Sequence, residues 1–268
     1  MIVVSYGGGV NSTALLVGLW EKQQRPDYIL FADTGDEKPH TYNFLWQMTK
    51  WLLEHNFPPI IIVRGDLPQQ RKDGSLYAEC YRLGSLPAKA YGYGTCSQKW
   101  KIDPQQKFIR ELAKKHNPQL IGWDASCITV LVGFDAGEPS RVHRALHREL
   151  KFWEPRQAFP LYDWDWGREE CLAAIERAGL PNPGKSACFY CPSSKKHEVR
   201  ELAERYPDLF AKAVEMERRA LAGEGQAPRT TSAGLGRQFN WAELVRSGKK
   251  ASEFDVGMPE VDCGCYDG

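Results

Sequence analysis

The stretch VVSYGGGVNSTALL, residues 3 to 16, carries an apolar run through three consecutive glycines into a helical pattern, and no other segment constrains the fold as much. Short apolar runs of this kind are buried on both faces of a parallel sheet. Glycines at the end of the run let backbone N–H groups converge on one point, and the first turn of the following helix adds its dipole. The result is a cradle for an anion, with Asn11 and Ser12 as candidate caps. Three glycines exceed what a tight strand-to-helix turn requires, which favours the cradle over a purely steric turn. It is neither a Walker loop, since no Gly-Lys-Ser or Gly-Lys-Thr follows, nor a G-x-G-x-x-G turn.

Apolar runs at 28–32, 60–63 and 128–133 repeat the strand pattern of 2–5, and helical patterns at 12–23, 41–55 and 105–115 lie between them. This alternation predicts an α/β fold on a doubly wound, mostly parallel sheet with flanking helices. Ligands on such sheets bind at the carboxyl ends of the strands, where the glycine loop sits. After about residue 160 the pattern turns helical, over 167–178 and 197–221. The expected division is therefore a phosphate-loop α/β domain over 1–165 and a mainly helical region over 166–268. The segment 222–238, rich in Gly, Ser, Thr and Pro, reads as a mobile loop, and 230–241 as a lid or docking surface.

With 42% hydrophobic residues the chain can bury a substantial core, while a net charge of +1 leaves any nucleic-acid partner to a local patch. Arg144, Arg148 and Lys151 fall at helical spacing and form one candidate phosphate-facing stripe; SSKKHEVR, 193–200, is another basic segment. His143 and His147 share the i, i+4 spacing of a metal pair but have no third ligand nearby, which favours nucleic-acid or solvent contact. No apolar run approaches the roughly 18 residues of a membrane span. The chain opens on a strand pattern rather than a signal peptide, so the expected location is cytoplasmic, with no membrane partner. Eight cysteines in such a chain point to metal ligation or redox chemistry. Cys188 and Cys191 form a C-x-x-C pair, whereas Cys127 and Cys171 read as core.

A second loop, LFADTGDEKPHTYNF at 30–44, places Asp33 at a strand end, Thr34-Gly35 in the turn, and Pro39 and Thr41 at the start of the next helix. Taken together, the two loops carry a family resemblance. SYGGGVNST resembles the pyrophosphate-binding PP-loop of the N-type ATP pyrophosphatases. FADTGDEKPHTYNF is similar to the D-T-G-x-E-x-P-x-T-x-x-F stretch of the phosphoadenosine phosphosulfate (PAPS) reductase family. CSQKWKIDP (96–104), VGFDAGEPSR (132–141) and FPLYDW with GLPNPGKSACFYCP (within 159–192) resemble further segments of that family in the same order. The likeness runs from residue 2 to about residue 200.

The resemblance implies an adenine nucleotide alpha hydrolase-like fold that binds ATP with Mg2+. The phosphates would lie over Ser5, Tyr6, Gly7, Gly8, Gly9, Asn11 and Ser12, and the ribose and base near Asp33 and Thr34, with Glu37 in the same stretch. It also implies Lys99, Lys101 and Arg141 around an anionic group, as polyphosphate chemistry needs fixed cations where charge develops. Iron–sulfur members of the family supply four thiolates from an adjacent cysteine pair and a later C-x-x-C. Here Cys96 matches the first of the pair and Ser97 occupies the second place. The implied ligands of a 4Fe–4S cluster, or of zinc, are Cys96, Cys188 and Cys191, with the fourth position open or filled by Cys263 or Cys265. The tail sequence DCG at 262–264 resembles the reductases' E-C-G tail. That gives Cys263, and equally Cys265, a second role as a thiolate nucleophile or persulfide carrier.

Sulfonucleotide reductases carry a few dozen residues before the loop, which here begins at residue 5, and Ser97 breaks their cysteine pair. The expected function is therefore an ATP pyrophosphatase that adenylylates an acceptor and exchanges sulfur into it, as in DNA phosphorothioation or tRNA thiolation. The sulfur would come from a cysteine desulfurase or another donor protein. The alternatives are a PAPS or adenosine phosphosulfate reductase releasing sulfite, and a nucleotide-binding subunit of a modification complex without its own catalysis.

Overall fold

A computed structural model of the chain describes residues 1–66, 68–116, 127–149 and 154–248. Its sheet runs through β1 (Ile2–Ser5), β2 (Tyr28–Ala32), β3 (Ile60–Val63), β4 (Thr129–Val132) and β5 (Arg156–Ala158). Connecting them are α1 (Val10–Glu21), α2 (Pro39–Glu54), α3 (Pro68–Asp73), α4 (Leu76–Leu83), α5 (Thr95–Ser97), α6 (Asp103–His116) and α7 (Pro139–Leu146). The chain continues through α8 (Pro160–Asp163), α9 (Arg168–Arg177), α10 (Lys196–Arg205), α11 (Pro207–Ala222) and α12 (Trp241–Arg246).

All five strands are parallel, in the order β3-β2-β1-β4-β5. The order reverses between β1 and β4, whose register pairs Val3 with Val130 and Ser5 with Val132. Successive side chains of a strand face opposite ways, and the two faces carry separate cores. Val4, Ile29, Phe31 and Leu131 meet α1, α2 and α9 on one face. Val3, Leu30, Val130 and Val132 meet Ile109 and Leu112 of α6 and Val142 of α7 on the other. The sheet is thus covered on both sides, as the doubly wound pattern required.

A third core lies beside the sheet. Cys80 of α4, Trp100, Phe189, Tyr190, Val199, Leu202, Met216, Leu235 and Trp241 bury one another and join α10, α11 and α12 to the residues around Cys188. Ser75 caps α4, its Oγ accepting from the Ala78 N–H at 3.2 Å, and Gly84 ends it at φ 64°. A Cβ on Gly84 would stand 2.1 Å from the Glu224 carbonyl oxygen, so only glycine lets these segments touch.

Several elements differ from the sequence expectation. The helix expected over 197–221 is two helices, broken at Tyr206 because Pro207 starts α11 and holds its predecessor out of helical geometry. The loop 222–238 is not free: Leu235 is fully buried, and its N–H donates to Glu217 Oε1 at 2.7 Å. Cys127 is exposed rather than core, whereas Cys171 is fully buried against α1.

Candidate functional site

The glycine loop leaves β1 at the point where the strand order reverses, which is where open α/β sheets bind ligands. Gly8 has φ 79°, a conformation that side chains other than hydrogen rarely adopt. Gly9 is the N-cap of α1 in extended geometry, and no side chain caps the helix. Asn11 and Ser12 therefore do not cap. Ser12 Oγ instead donates back to the Gly9 carbonyl at 3.2 Å. Asn11 Nδ2 donates to Asp135 Oδ2 at 2.9 Å and to Glu138 Oε2 at 3.2 Å, and its Oδ1 accepts from Arg168 Nη1 at 3.0 Å. The first-turn N–H groups of α1 are thus left facing the loop without a side-chain cap, the condition under which a helix end binds an anion.

Asn11 links this loop to the one after β4. Gly133 there approaches so closely that a Cβ would lie 3.0 Å from the Ser12 nitrogen. Arg141, expected near the anion, pairs with Glu138 and lies 4.1 Å over the Phe134 ring. The side chains of Ser5 and Tyr6 point away from the loop. Ser5 lines a small cavity on the α6 face with Gln105 and Ile109. Tyr6 is 1% exposed with its hydroxyl 3.2 Å from Thr13 Oγ1, and burial pushes its phenol above the usual range. Any part these residues take in binding is a backbone one.

The second loop, after β2, is held open by its own acids. Asp33 Oδ1 accepts from the Gly35 N–H and the Tyr42 hydroxyl, each at 2.8 Å, and Asp33 Oδ2 accepts from Arg64 Nη2 at 2.6 Å. Asp36 accepts from the Tyr77 N–H at 2.6 Å and the Tyr190 hydroxyl at 2.8 Å. Its backbone carbonyl takes the Phe189 N–H at 3.0 Å, and Glu37 forms a β-bridge with Cys188. The C-x-x-C turn, closed by Cys191 N–H to Cys188 carbonyl at 3.0 Å, is therefore docked on the loop after β2.

Between them opens a cleft of about 500 Å³, part of it in contact with solvent. Its walls include Cys96, Cys188, Cys191, Lys101, Thr34 and Ser186, so residues far apart in sequence meet around one space. Lys101 Nζ is 3.0 Å from Glu37 Oε1, and Ser186 Oγ donates to Glu37 Oε2 at 3.2 Å. Ser186 also lies 3.7 Å from where a Cβ on Gly8 would be, so the cleft and the glycine loop adjoin. Lys99 is turned away, its ammonium paired with Glu79.

Cys188 Sγ lies 3.2 Å from Thr34 Oγ1. Burial, reinforced by Glu37, pushes its thiol well above the ordinary range, against the opposing effect of Lys101. Among the described residues no three of His, Cys, Asp and Glu converge closely enough to hold a metal ion. The chemistry of the donor set is that of an iron–sulfur ligand set short of one member: three thiols border one cleft, and a fourth is not among the described residues there. Cys263 and Cys265 lie outside the described residues, as does Lys151.

Of the expected basic stripe, only Arg144 lies on a helix among the described residues. Helix α7 ends at Leu146, and Arg148, beyond it, pairs with Glu154 at 3.0 Å. His143 and His147 are neighbours, with ring centroids 6.1 Å apart. Lys185 and Ser186 of the cleft, and Asp135 and Glu138 of the loop, went unnoticed in the sequence as site residues. Asp135 and Glu138 fall in the family-like stretch 132–141, and Lys185 and Ser186 in the one that ends at 192, which is the signal the sequence offers.

The chain is similar in part to several known proteins. Residues 1–122 match the family described as the phosphoadenosine phosphosulfate reductase domain. An uncharacterized protein of Methanocaldococcus jannaschii is 23% identical over 216 residues, which are 79% of this chain and 40% of that protein. An uncharacterized 37.8 kDa protein of Escherichia phage 186 is 24% identical over 261 residues, 82% of this chain and 75% of the phage protein. This chain thus spans less than half the length of the archaeal relative. The structure of the U34-tRNA thiolase NcsA from Methanococcus maripaludis, with its 4Fe–4S cluster, aligns over 97% of this chain and 82% of its own, at 14% identity and a TM-score of 0.37. Among the described residues no helix is long and apolar enough to cross a membrane.

Proposed function

We propose that the protein is an ATP pyrophosphatase acting in sulfur transfer to a nucleic acid. The observation that carries this reading is the adjacency of two sites: an uncapped helix N-terminus behind a glycine loop, and a cleft lined by three cysteines and Lys101. ATP would lay its phosphates on the loop. An acceptor oxygen attacks the α-phosphorus, the α–β bond breaks, and pyrophosphate leaves with its added charge held by backbone N–H groups and nearby cations. Asp135 and Glu138, both bonded to Asn11, would be the carboxylates that hold the Mg2+ accompanying the nucleotide, Glu138 giving up part of its pairing with Arg141. Sulfide-level sulfur, released from a donor persulfide by a second thiol that closes a disulfide with the donor cysteine, then attacks the activated atom, and the bond to the adenylylated oxygen breaks as AMP leaves with that oxygen.

Cys96, Cys188 and Cys191 would hold an iron–sulfur cluster, which supplies a site for sulfur or electrons beside the nucleotide. Lys101, fixed by Glu37, would hold the anionic group between the two sites. For protein purified without oxygen, the expected result is bound iron that the double variant Cys188→Ser, Cys191→Ser lacks. Unchanged iron or zinc in that variant would place the metal elsewhere.

The function itself is tested by incubating the protein separately with ATP, PAPS and adenosine phosphosulfate, and assaying pyrophosphate and sulfite. Pyrophosphate from ATP without sulfite from either sulfonucleotide is the expected outcome. Sulfite release would make the protein a sulfonucleotide reductase, the activity named by the family that residues 1–122 match. Neither product would leave a nucleotide-binding subunit.

A further inference from the structure

The cations expected around the anion are already answered by carboxylates: Lys99 by Glu79, Lys101 by Glu37 and Arg141 by Glu138. Arg168 differs from them. Its Nη1 donates to Asn11 Oδ1 at 3.0 Å, a neutral acceptor in the first turn of α1. Among the described residues no carboxylate stands within ion-pair distance of Arg168. Asn11 is 2% exposed, and Asp135 and Glu138 take its Nδ2, so the oxygen is left facing the guanidinium. Arg168 itself is exposed, which opens the rest of its N–H fork to a ligand.

Packing holds the arginine where helix electrostatics do not favour it. Arg168 is the first residue of α9, after the N-cap Gly167, and it touches the first turn of α1, so its charge works against two helix dipoles. The fold fixes it there all the same. A Cβ on Gly18 of α1 would stand 2.4 Å from Trp164 Cζ3 and 3.0 Å from Trp166 Cη2, so the chain leading to α9 lies tight on α1. The Trp166 carbonyl accepts from the Ala136 N–H at 2.9 Å, and Cys171, Ala174 and Ile175 of α9 share the core of α1. An anion between the guanidinium and the end of α1 turns this crowding of positive charge into attraction.

The two sides of the glycine loop give a polyphosphate its direction. Gly8 adjoins the loop after β2 and Ser186 of the cysteine cleft, whereas Asn11 meets the loop after β4, and β1 lies between β2 and β4 in the sheet. An acceptor in the cleft requires the α-phosphorus on the Gly8 side. The β- and γ-phosphates then fall on the Asn11 side, where Arg168 stands. We propose that Arg168 binds the β- and γ-phosphates of the nucleotide and holds the pyrophosphate as it leaves. The reaction served rests on the ATP pyrophosphatase reading above, while the anion site itself does not. The guanidinium can take two phosphate oxygens at once and stays protonated throughout, so it moves no proton.

The test uses the full chain with Mg2+ and measures binding of inorganic pyrophosphate and of AMP by calorimetry, alongside pyrophosphate release from ATP. The wild type is expected to bind pyrophosphate. Arg168→Gln keeps a donor for Asn11 and removes the charge; it should weaken pyrophosphate binding about tenfold or more and raise the KM for ATP, with AMP binding within about twofold of the wild type. Arg168→Lys keeps the charge without the fork and should fall between the two. The exposed position makes both variants expected to fold, which thermal melting checks. Equal pyrophosphate binding by wild type and Arg168→Gln, equal losses for pyrophosphate and AMP, or no pyrophosphate binding by the wild type would each overturn the inference; equal losses would make Arg168 a support for Asn11 alone. A selective loss of pyrophosphate binding in Arg168→Gln, with no release from ATP by the wild type, would instead overturn the ATP reading and leave the pyrophosphate site standing.

Discussion

Replacing Gly8 by Asp is expected to lower pyrophosphate release from ATP by at least about 100-fold, the loss that follows when preorganised donors to a developing anion are spoiled. Two effects act in the same direction. At φ 79° any side chain is strained, and a Cβ would stand 3.2 Å from Thr41 Cγ2 and 3.4 Å from Phe31 Cε2, so the loop must shift. The carboxylate then adds negative charge where the helix N-terminus would hold a phosphate. Gly8→Ala separates the two effects, because it brings the steric strain without the charge. Its loss is expected to be about tenfold smaller, given that charge repulsion in a cradle outweighs a few tenths of an ångström. A folded Gly8→Asp protein that releases pyrophosphate at more than a tenth of the wild-type rate would remove the glycine loop from the reaction.

The sheet was the most legible part of the sequence. Strands β1, β2 and β3 coincide with their apolar runs; for β1 and β2 burial on both faces tolerates little else, while β3 keeps its run at the sheet edge with Ile62 exposed. β5 escaped notice because Arg-Gln-Ala at a sheet edge needs neither length nor an apolar run. Helices α1 and α2 each begin two residues before their expected starts, since Gly9 serves as N-cap without a hydroxyl and Pro39 is itself the first helical residue. The phosphate cradle could be read because it is local: strand, glycines and helix are contiguous. The cleft could not, since it is made by docking 187–189 onto 36–38, and no spacing in the sequence records that Lys38 N–H meets the Ala187 carbonyl. The helical spacing of Arg144 and Arg148 does not put them on one helix face, for a different reason. Charge periodicity says which residues would share a face if the helix continued, and nothing in it keeps α7 going past Leu146.

The segment 222–238, read from its composition as mobile, is anchored through Leu235 to Glu217, and this anchor carries the second large effect. Glu217 of α11 is 1% exposed, and its carboxylate accepts from the Leu235 N–H at 2.7 Å and the Trp241 N–H at 3.0 Å. The loop's small and polar residues suggest mobility, but what fixes it is one carboxylate reaching across from another helix. Gly234 is required there, because a Cβ would lie 2.4 Å from Glu217 Oε1. Removing the carboxylate in Glu217→Ala leaves buried N–H donors without acceptors, at about 1 to 3 kcal/mol each. The expected loss is therefore about 3 kcal/mol, or roughly 6 to 12 °C in the melting midpoint. Burial also raises the Glu217 carboxyl above its ordinary value of 4.5, against the pull of the same N–H groups. The folded state thus holds that proton more tightly than the unfolded chain does. This linked contribution is complete below 4.5 and is lost as pH rises through the higher folded value. That slope should vanish in Glu217→Ala, so the variant's deficit is largest at low pH and narrows as pH rises. A variant that melts with the wild type would mean the loop is held by Leu235 and Trp241 burial alone, whereas a deficit that grows with pH would mean the N–H groups outweigh burial and the folded carboxyl titrates below 4.5.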